Sequence, residues 1–164
     1  MRSTTAHADI GASPGALWSA LTTPDETRHF FQGLRLTSAW QPDARVDAHH
    51  GTVLIATGTV VVADEPALLV YRLDEPGSGD LDCWLGWRLA AADPGITRVT
   101  LTADTLPCDP PVDTLRLLSG LKTYLETGRP LGPARECRLA PGRDGRPAAS
   151  SAPPRPAWLR RRAR

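Results

Sequence analysis

The chain has 164 residues, 41% hydrophobic and 23% charged, which gives room for one domain with an apolar core and excludes a wholly unstructured polymer. No apolar run is long enough to cross a bilayer as a helix, and the opening MRSTTAHADIGASPG lacks the apolar stretch of a secretory signal, so a cytoplasmic location is expected. The formal net charge of +1 conceals a division: residues 1–129 carry ten basic and sixteen acidic side chains, a net of −6, and residues 130–164 carry nine arginines against two acids, a net of +7.

This asymmetry divides the chain into an acidic body, 1–129, and a basic tail, 130–164. Of the 35 tail residues, 28 are Pro, Gly, Ala, Ser or Arg, too little apolar surface to offset the entropy of ordering, so the tail is expected to be disordered. Its end, WLRRRAR, can touch nucleic acid, anionic lipid or the chain's own acidic body, but a solvated basic end is the plainer expectation. The chain has a single lysine, Lys122, against eighteen arginines, a bias of the kind a GC-rich coding sequence produces; one arginine is therefore weak evidence for an anion site. Cys83, Cys108 and Cys137 are odd in number and form no C-x-x-C pair, which points to reduced thiols rather than a zinc knuckle or redox couple.

In chain order, residues 4–12 alternate loosely and predict a first strand. Ser13 is a suitable N-cap with Pro14 at the first helical position, and Leu17, Trp18 and Leu21 give the following short helix an apolar face. Thr23-Pro24-Asp25-Glu26 has the spacing of a capping box and starts a second short helix, which Gly33 ends. From 34 to 105 the pattern is of strands: LRLTSAW, RVDAHH, TVLIATGTVVVADE, ALLVYRLDE, CWLGWRL and ITRVTLTAD, joined by short turns that include QPDA, PGSGD and DPG. Strands linked by short turns pair antiparallel. After the break LPCDPP, residues 112–128 form the longest helix, capped by Asp113 and closed by Gly128, with Leu115, Leu118, Leu121 or Lys122, and Leu125 on its apolar face. Gly120 interrupts that helix, either costing up to about 1 kcal/mol relative to alanine or letting something pack closely. A curved antiparallel sheet gripping the last helix, with the short helices closing one end, satisfies this order: an α+β architecture.

With these residues the chain resembles the START-like, SRPBCC or Bet v I-like superfamily, and within it bacterial relatives of the activator of the heat-shock protein 90 ATPase. The matching positions are Ile10, Ala12, Leu17-Trp18, Ala20-Leu21-Thr22 and Pro24-Asp25, then Phe31, Gly33, Ser38, Trp40 and Pro42. They continue through Gly58, Val60, Pro66, Leu69 and Tyr71 to Trp87-Arg88-Leu89, Ile96 to Thr102, Leu121-Lys122, Leu125-Glu126 and Gly128. Three positions depart from the family pattern: Asp113-Thr114 replaces Gly-Trp, Leu73 replaces a tryptophan, and Ala103 replaces a histidine. The resemblance implies the helix-grip fold over residues 6–129 and makes residues 16–33 the lid of a container.

The residues offer no evident catalytic set. His49 and His50 are adjacent, so in a strand they face opposite ways; Asp25 and His29, four apart on a helix, read as an exposed pair; no H-E-x-x-H or G-x-S-x-G motif is present. Neither a cofactor nor a metal is expected. If the container encloses space, Trp40, Val60, Tyr71, Leu85, Trp87, Leu118, Leu121 and Leu125 are the side chains expected to line it; otherwise the same residues fill the core. The expected function is to bind a hydrophobic small molecule or a protein partner between sheet and helix without turning it over. The resemblance also admits a polyketide cyclase or aromatase-like enzyme, with Tyr71, Arg88 or Arg98 moving protons, and a co-chaperone like the ATPase activators.

Overall fold

The structure is a computed structural model and describes residues 2–74, 83–105, 112–132 and 158–159. Seven strands form one antiparallel sheet: β1 (Arg2–Ile10), β2 (Arg35–Ser38), β3 (Arg45–His50), β4 (Val53–Asp64), β5 (Leu68–Asp74), β6 (Cys83–Asp93) and β7 (Ile96–Thr105). Its spatial order is β1-β7-β6-β5-β4-β3-β2, so β2 to β7 run as a meander and β1 adds beyond β7. The sheet curves around α3 (Thr114–Thr127), while α1 (Pro14–Thr22) and α2 (Pro24–Thr27) follow β1, which is the helix-grip α+β fold.

Alternation along the strands decides what faces α3. Leu69, Tyr71 and Leu73 of β5, Leu85, Trp87 and Leu89 of β6, and Val99, Leu101 and Ala103 of β7 join one buried cluster with Leu117, Leu118 and Leu121 of α3. Burying each such leucine contributes about 1.5–3 kcal/mol, so α3 is held by packing more than by its own propensity. Polar links fix its far end. Glu126 Oε1 accepts from the Gly11 amide at 2.9 Å, and Lys122 Nζ donates to the Asp9 carbonyl at 2.7 Å.

Several sequence expectations hold in detail. Ser13 Oγ accepts from the Ala16 amide, Asp113 Oδ1 accepts from the Arg116 amide, and Gly128 ends α3 in the left-handed conformation at φ 71°. Others are corrected. Leu115 is not on the buried face of α3 but 68% exposed; the face packed inward is centred on Leu117, Leu118 and Leu121, and Leu115 projects outside it. The capping box at Thr23 does not form. Thr23 makes no side-chain cap, and Glu26 instead accepts from the Tyr124 phenol at 2.7 Å. Asp25 does not pair with His29: it pairs with Arg35 at 2.7 Å, while His29 stacks on Tyr124 with ring centroids 4.6 Å apart. The second helix is a single turn, and Gly33, φ 83°, closes the run of turns that follows it.

The expected PGSGD turn, the LPCDPP break, Cys108 and Cys137 lie outside the described residues, as does most of the basic tail. Within that tail Trp158 and Leu159 pack on the outer face of the sheet against Leu68, Val70 and Trp84. Cys83 is buried. No helix among the described residues is long and apolar enough to cross a membrane.

Candidate functional site

The eight side chains expected to line a cavity are brought together. Val60, Tyr71, Leu85, Trp87, Leu118 and Leu121 are each at most 2% exposed, and Trp40 and Leu125 are partly buried against the same cluster. They come from β4, β5, β6, α3 and the turn after β2. Trp40 reaches inward because its backbone turns at φ 50°, where the Ser38 hydroxyl accepts from its amide at 3.1 Å.

A chain of rings crosses this interior. Trp40 Nε1 donates to the Thr22 carbonyl at the end of α1 (2.7 Å), and its ring meets Tyr71 edge-on at 5.8 Å. Trp87 Nε1 donates to the Tyr71 hydroxyl at 3.3 Å, and the Trp87 ring meets Phe30 edge-on at 6.4 Å. Burial raises the Tyr71 pKa well above its ordinary value, the Trp87 hydrogen bond opposing only part of that rise. At neutral pH the phenol is therefore protonated, with Trp87 as its donor. Arg88 and Arg98, the other candidates for proton chemistry, are exposed; Arg98 is tied to Asp9 by two bonds of 2.8 and 2.9 Å across β1 and β7.

An opening bordered by Phe30 lies between the turns after α2 and α3. It is a cleft of about 430 Å³, with Phe30, Gly120 and Leu131 as its apolar part and Arg28 and Arg116 among its walls. Gly120 explains why the two elements come so close. A Cβ there would stand 3.3 Å from the Phe30 carbonyl oxygen and 3.4 Å from its Cα, tighter than packed atoms normally sit. Phe30 thus separates cleft from interior: it bounds the first and touches Trp87 in the second. Beside it, His29 is held by its stack on Tyr124, whose phenol pKa is raised first by its hydrogen bond to Glu26 and then by burial.

The sequence reading missed Phe30, Arg28 and Arg116. Only the glycine inside an otherwise regular helix pointed toward this place. Among the described residues, no cluster of three or more His, Cys, Asp or Glu side chains can hold a metal ion.

With this geometry, comparison with known proteins becomes informative. The family described as activator of Hsp90 ATPase homolog 1-like protein matches residues 11–126. The chain belongs to this family. The solution structure of the Aha1 dimer from Colwellia psychrerythraea is 17% identical, with a TM-score of 0.60 over 78% of this chain and 98% of that one. DynU16, from the dynemicin biosynthetic locus, is 23% identical with a TM-score of 0.60, covering 78% of this chain but only 48% of its own length. PFC0360w, an HSP90 activator from Plasmodium falciparum, is 13% identical with a TM-score of 0.55 over 79% and 90% of the two chains. At these identities the likeness is one of fold. No curated protein matches the chain. Where the sequence departs from the family pattern, Leu73 and Ala103 fill the inner face of the sheet and Asp113 caps α3, so the substitutions leave the fold intact.

Proposed function

We propose that this Hsp90-activator-like domain is a binding protein for a hydrophobic small molecule bearing an anionic group, without catalysis of its own. The molecule sits in the cleft between α2 and α3, its apolar part against Phe30 and Leu131 and its anion near Arg28 and Arg116. Deeper seating displaces the Phe30 ring and brings the ligand against the interior walls Trp40, Val60, Tyr71, Leu85, Trp87, Leu118, Leu121 and Leu125. The observation that carries this reading is the position of Phe30, one ring bounding a 430 Å³ cleft and touching the buried Trp87.

The fold alone does not choose among functions, because its neighbours include both HSP90 activators and a protein of a biosynthetic locus. The residues favour binding over a cyclase-type reaction. Tyr71 is buried and engaged by Trp87, and Arg88 and Arg98 lie on the surface away from it.

The test is thermal shift and calorimetry against a panel of fatty acids and aromatic polyketide acids. A ligand at one hundred times its Kd stabilises the fold by about 2.7 kcal/mol. Arg116→Ala should weaken binding of the acid but not of the matching neutral alcohol, and Phe30→Ala should change affinity for both. If no compound stabilises the protein while a chaperone ATPase responds to it, the partner reading replaces this one.

A further inference from the structure

The outer face of the sheet, opposite α3, holds a second apolar cluster in which Trp158 and Leu159 lie over Leu68, Val70 and Trp84. The seat of Trp158 is specific in two ways. Its six-membered ring rests on the bare backbone of Gly86 in β6: a Cβ at Gly86 would come within 2.5 Å of Trp158 Cη2 and 2.9 Å of Cζ3, and these are the nearest atoms it would meet. Its Nε1–H donates to Asp104 Oδ2 in β7 at 2.8 Å.

Asp104 is itself unusual. It is a carboxylate only 3% exposed, on the face of the sheet that carries surface arginines elsewhere. The register sets Arg72, Trp84 and Asp104 side by side across β5, β6 and β7. Each has one buried polar atom without a hydrogen bond: Arg72 Nε, Trp84 Nε1 and Asp104 Oδ1. Burying such groups is costly, and a solvated strand face needs neither a buried acid nor a glycine between Trp84 and Arg88. A notch that accepts a flat ring beside an acceptor for a ring N–H is shaped for an indole. Phenylalanine would leave Asp104 unpaired, and a leucine would neither lie flat on Gly86 nor donate.

We infer that the outer face of β5–β7 is a docking site for a Trp-Leu segment, and that its occupant is this chain's own Trp158–Leu159, bound in cis. The charges agree with that occupant: residues 1–129 carry a net of −6, and the last 35 residues, which present the tryptophan, a net of +7. Covalent attachment presents the segment at an effective concentration on the order of millimolar, so a weak intrinsic affinity keeps the site filled. The tail is thereby anchored on the side of the sheet away from the α2–α3 cleft, and the inference stands whether or not the cleft binds a ligand.

The test uses the full chain and the indole N–H signals of its five tryptophans in ¹⁵N-resolved NMR, Trp158 being assigned by its loss in Trp158→Phe. The Trp158 N–H should exchange with solvent at least roughly tenfold more slowly than a free indole, equally at 20 and about 500 μM protein. Gly86→Val should return it to the free rate while the indoles of Trp18, Trp40 and Trp87, which belong to the inner cluster, keep theirs. Should Gly86→Val fail to fold, Asp104→Asn takes its place: a neutral acceptor holds the N–H less strongly, and exchange at Trp158 should accelerate several-fold while Trp18, Trp40 and Trp87 keep their rates. Free-rate exchange in the wild-type chain, or protection untouched by these variants, overturns the docking site. Protection that rises with concentration together with dimerisation in ultracentrifugation overturns occupancy in cis in favour of a second copy.

Discussion

Tyr71→Phe removes one oxygen from the middle of the ring chain and tests whether that chain holds the interior together. The hydroxyl is the acceptor for Trp87 Nε1–H at 3.3 Å, and the two side chains are 1% and 0% exposed, so water cannot replace it. Leaving a buried donor unpaired costs about 1–3 kcal/mol, offset in part because the phenol no longer has to be desolvated. The expected net loss is about 1–2 kcal/mol, or roughly 3–6 °C in Tm for a chain of this size. Trp87→Phe alone should cost more, about 2–4 kcal/mol, since it empties volume and strands the phenol as well. The double variant should be less destabilised than the two losses combined, by a coupling of about 1 kcal/mol, because both ends of the bond are then gone. Urea denaturation of the four proteins measures the cycle. A neutral Tyr71→Phe with zero coupling would show that the rings merely pack and that the hydrogen bond contributes nothing.

The same phenol sets an alkaline limit: burial raises its pKa above the ordinary 10.0, so its contribution is complete below pH 10.0 and is lost as pH climbs beyond it, and Tyr71→Phe should flatten that limb in pH-dependent melting. At the acid end Lys122 and then the Gly11 amide hold the Glu126 carboxyl below its usual 4.5, so its contribution is complete above 4.5 and is lost as pH falls below that value through the lowered folded-state pKa, and Glu126→Gln should blunt the loss. Thr27 is fully buried, and its hydroxyl accepts from the Leu36 amide at 3.0 Å; Thr27→Val should cost about 1–3 kcal/mol in chemical denaturation, and a neutral result would mean Leu36 finds another acceptor. Gly120→Leu places side-chain atoms where Phe30 backbone now sits, so a loss of about 1–3 kcal/mol is expected together with the disappearance of any ligand-induced thermal shift.

Strand alternation made the inner face legible in advance. Leu85, Trp87, Leu69 and Tyr71 project where a period of two places them, because a sheet with one covered face enforces that period. The short helices were harder to read. Thr23 and Glu26 have the spacing of a mutual cap, yet the Tyr124 phenol, 98 residues away in sequence, competes for the same carboxylate and takes it. Leu115 followed the helical repeat as well as Leu117 did; only the docking angle of α3 on β1 and β7 decides between them, and local sequence does not encode an angle. The cleft was illegible for a similar reason: Phe30 and Gly120 mean little until two distant segments are brought within van der Waals contact. Trp158 stood in a stretch whose composition argued against burial, and the glycine and aspartate that receive it lie on strands whose patterns gave no hint of a visitor.

The pairing of β1 with β7 joins Arg2 to Thr105 and Ile10 to Thr97. During synthesis β1 therefore has no strand to pair with until β7 has been made, and it waits while the strands between them emerge. Such late closure of distant contacts is slow, and it leaves a bare β-edge available to other nascent chains. A truncation that stops before β7 would strand the N-terminal segment permanently, which makes the hairpin of β6 and β7, rather than the helix that follows it, the step that commits this polypeptide to its shape.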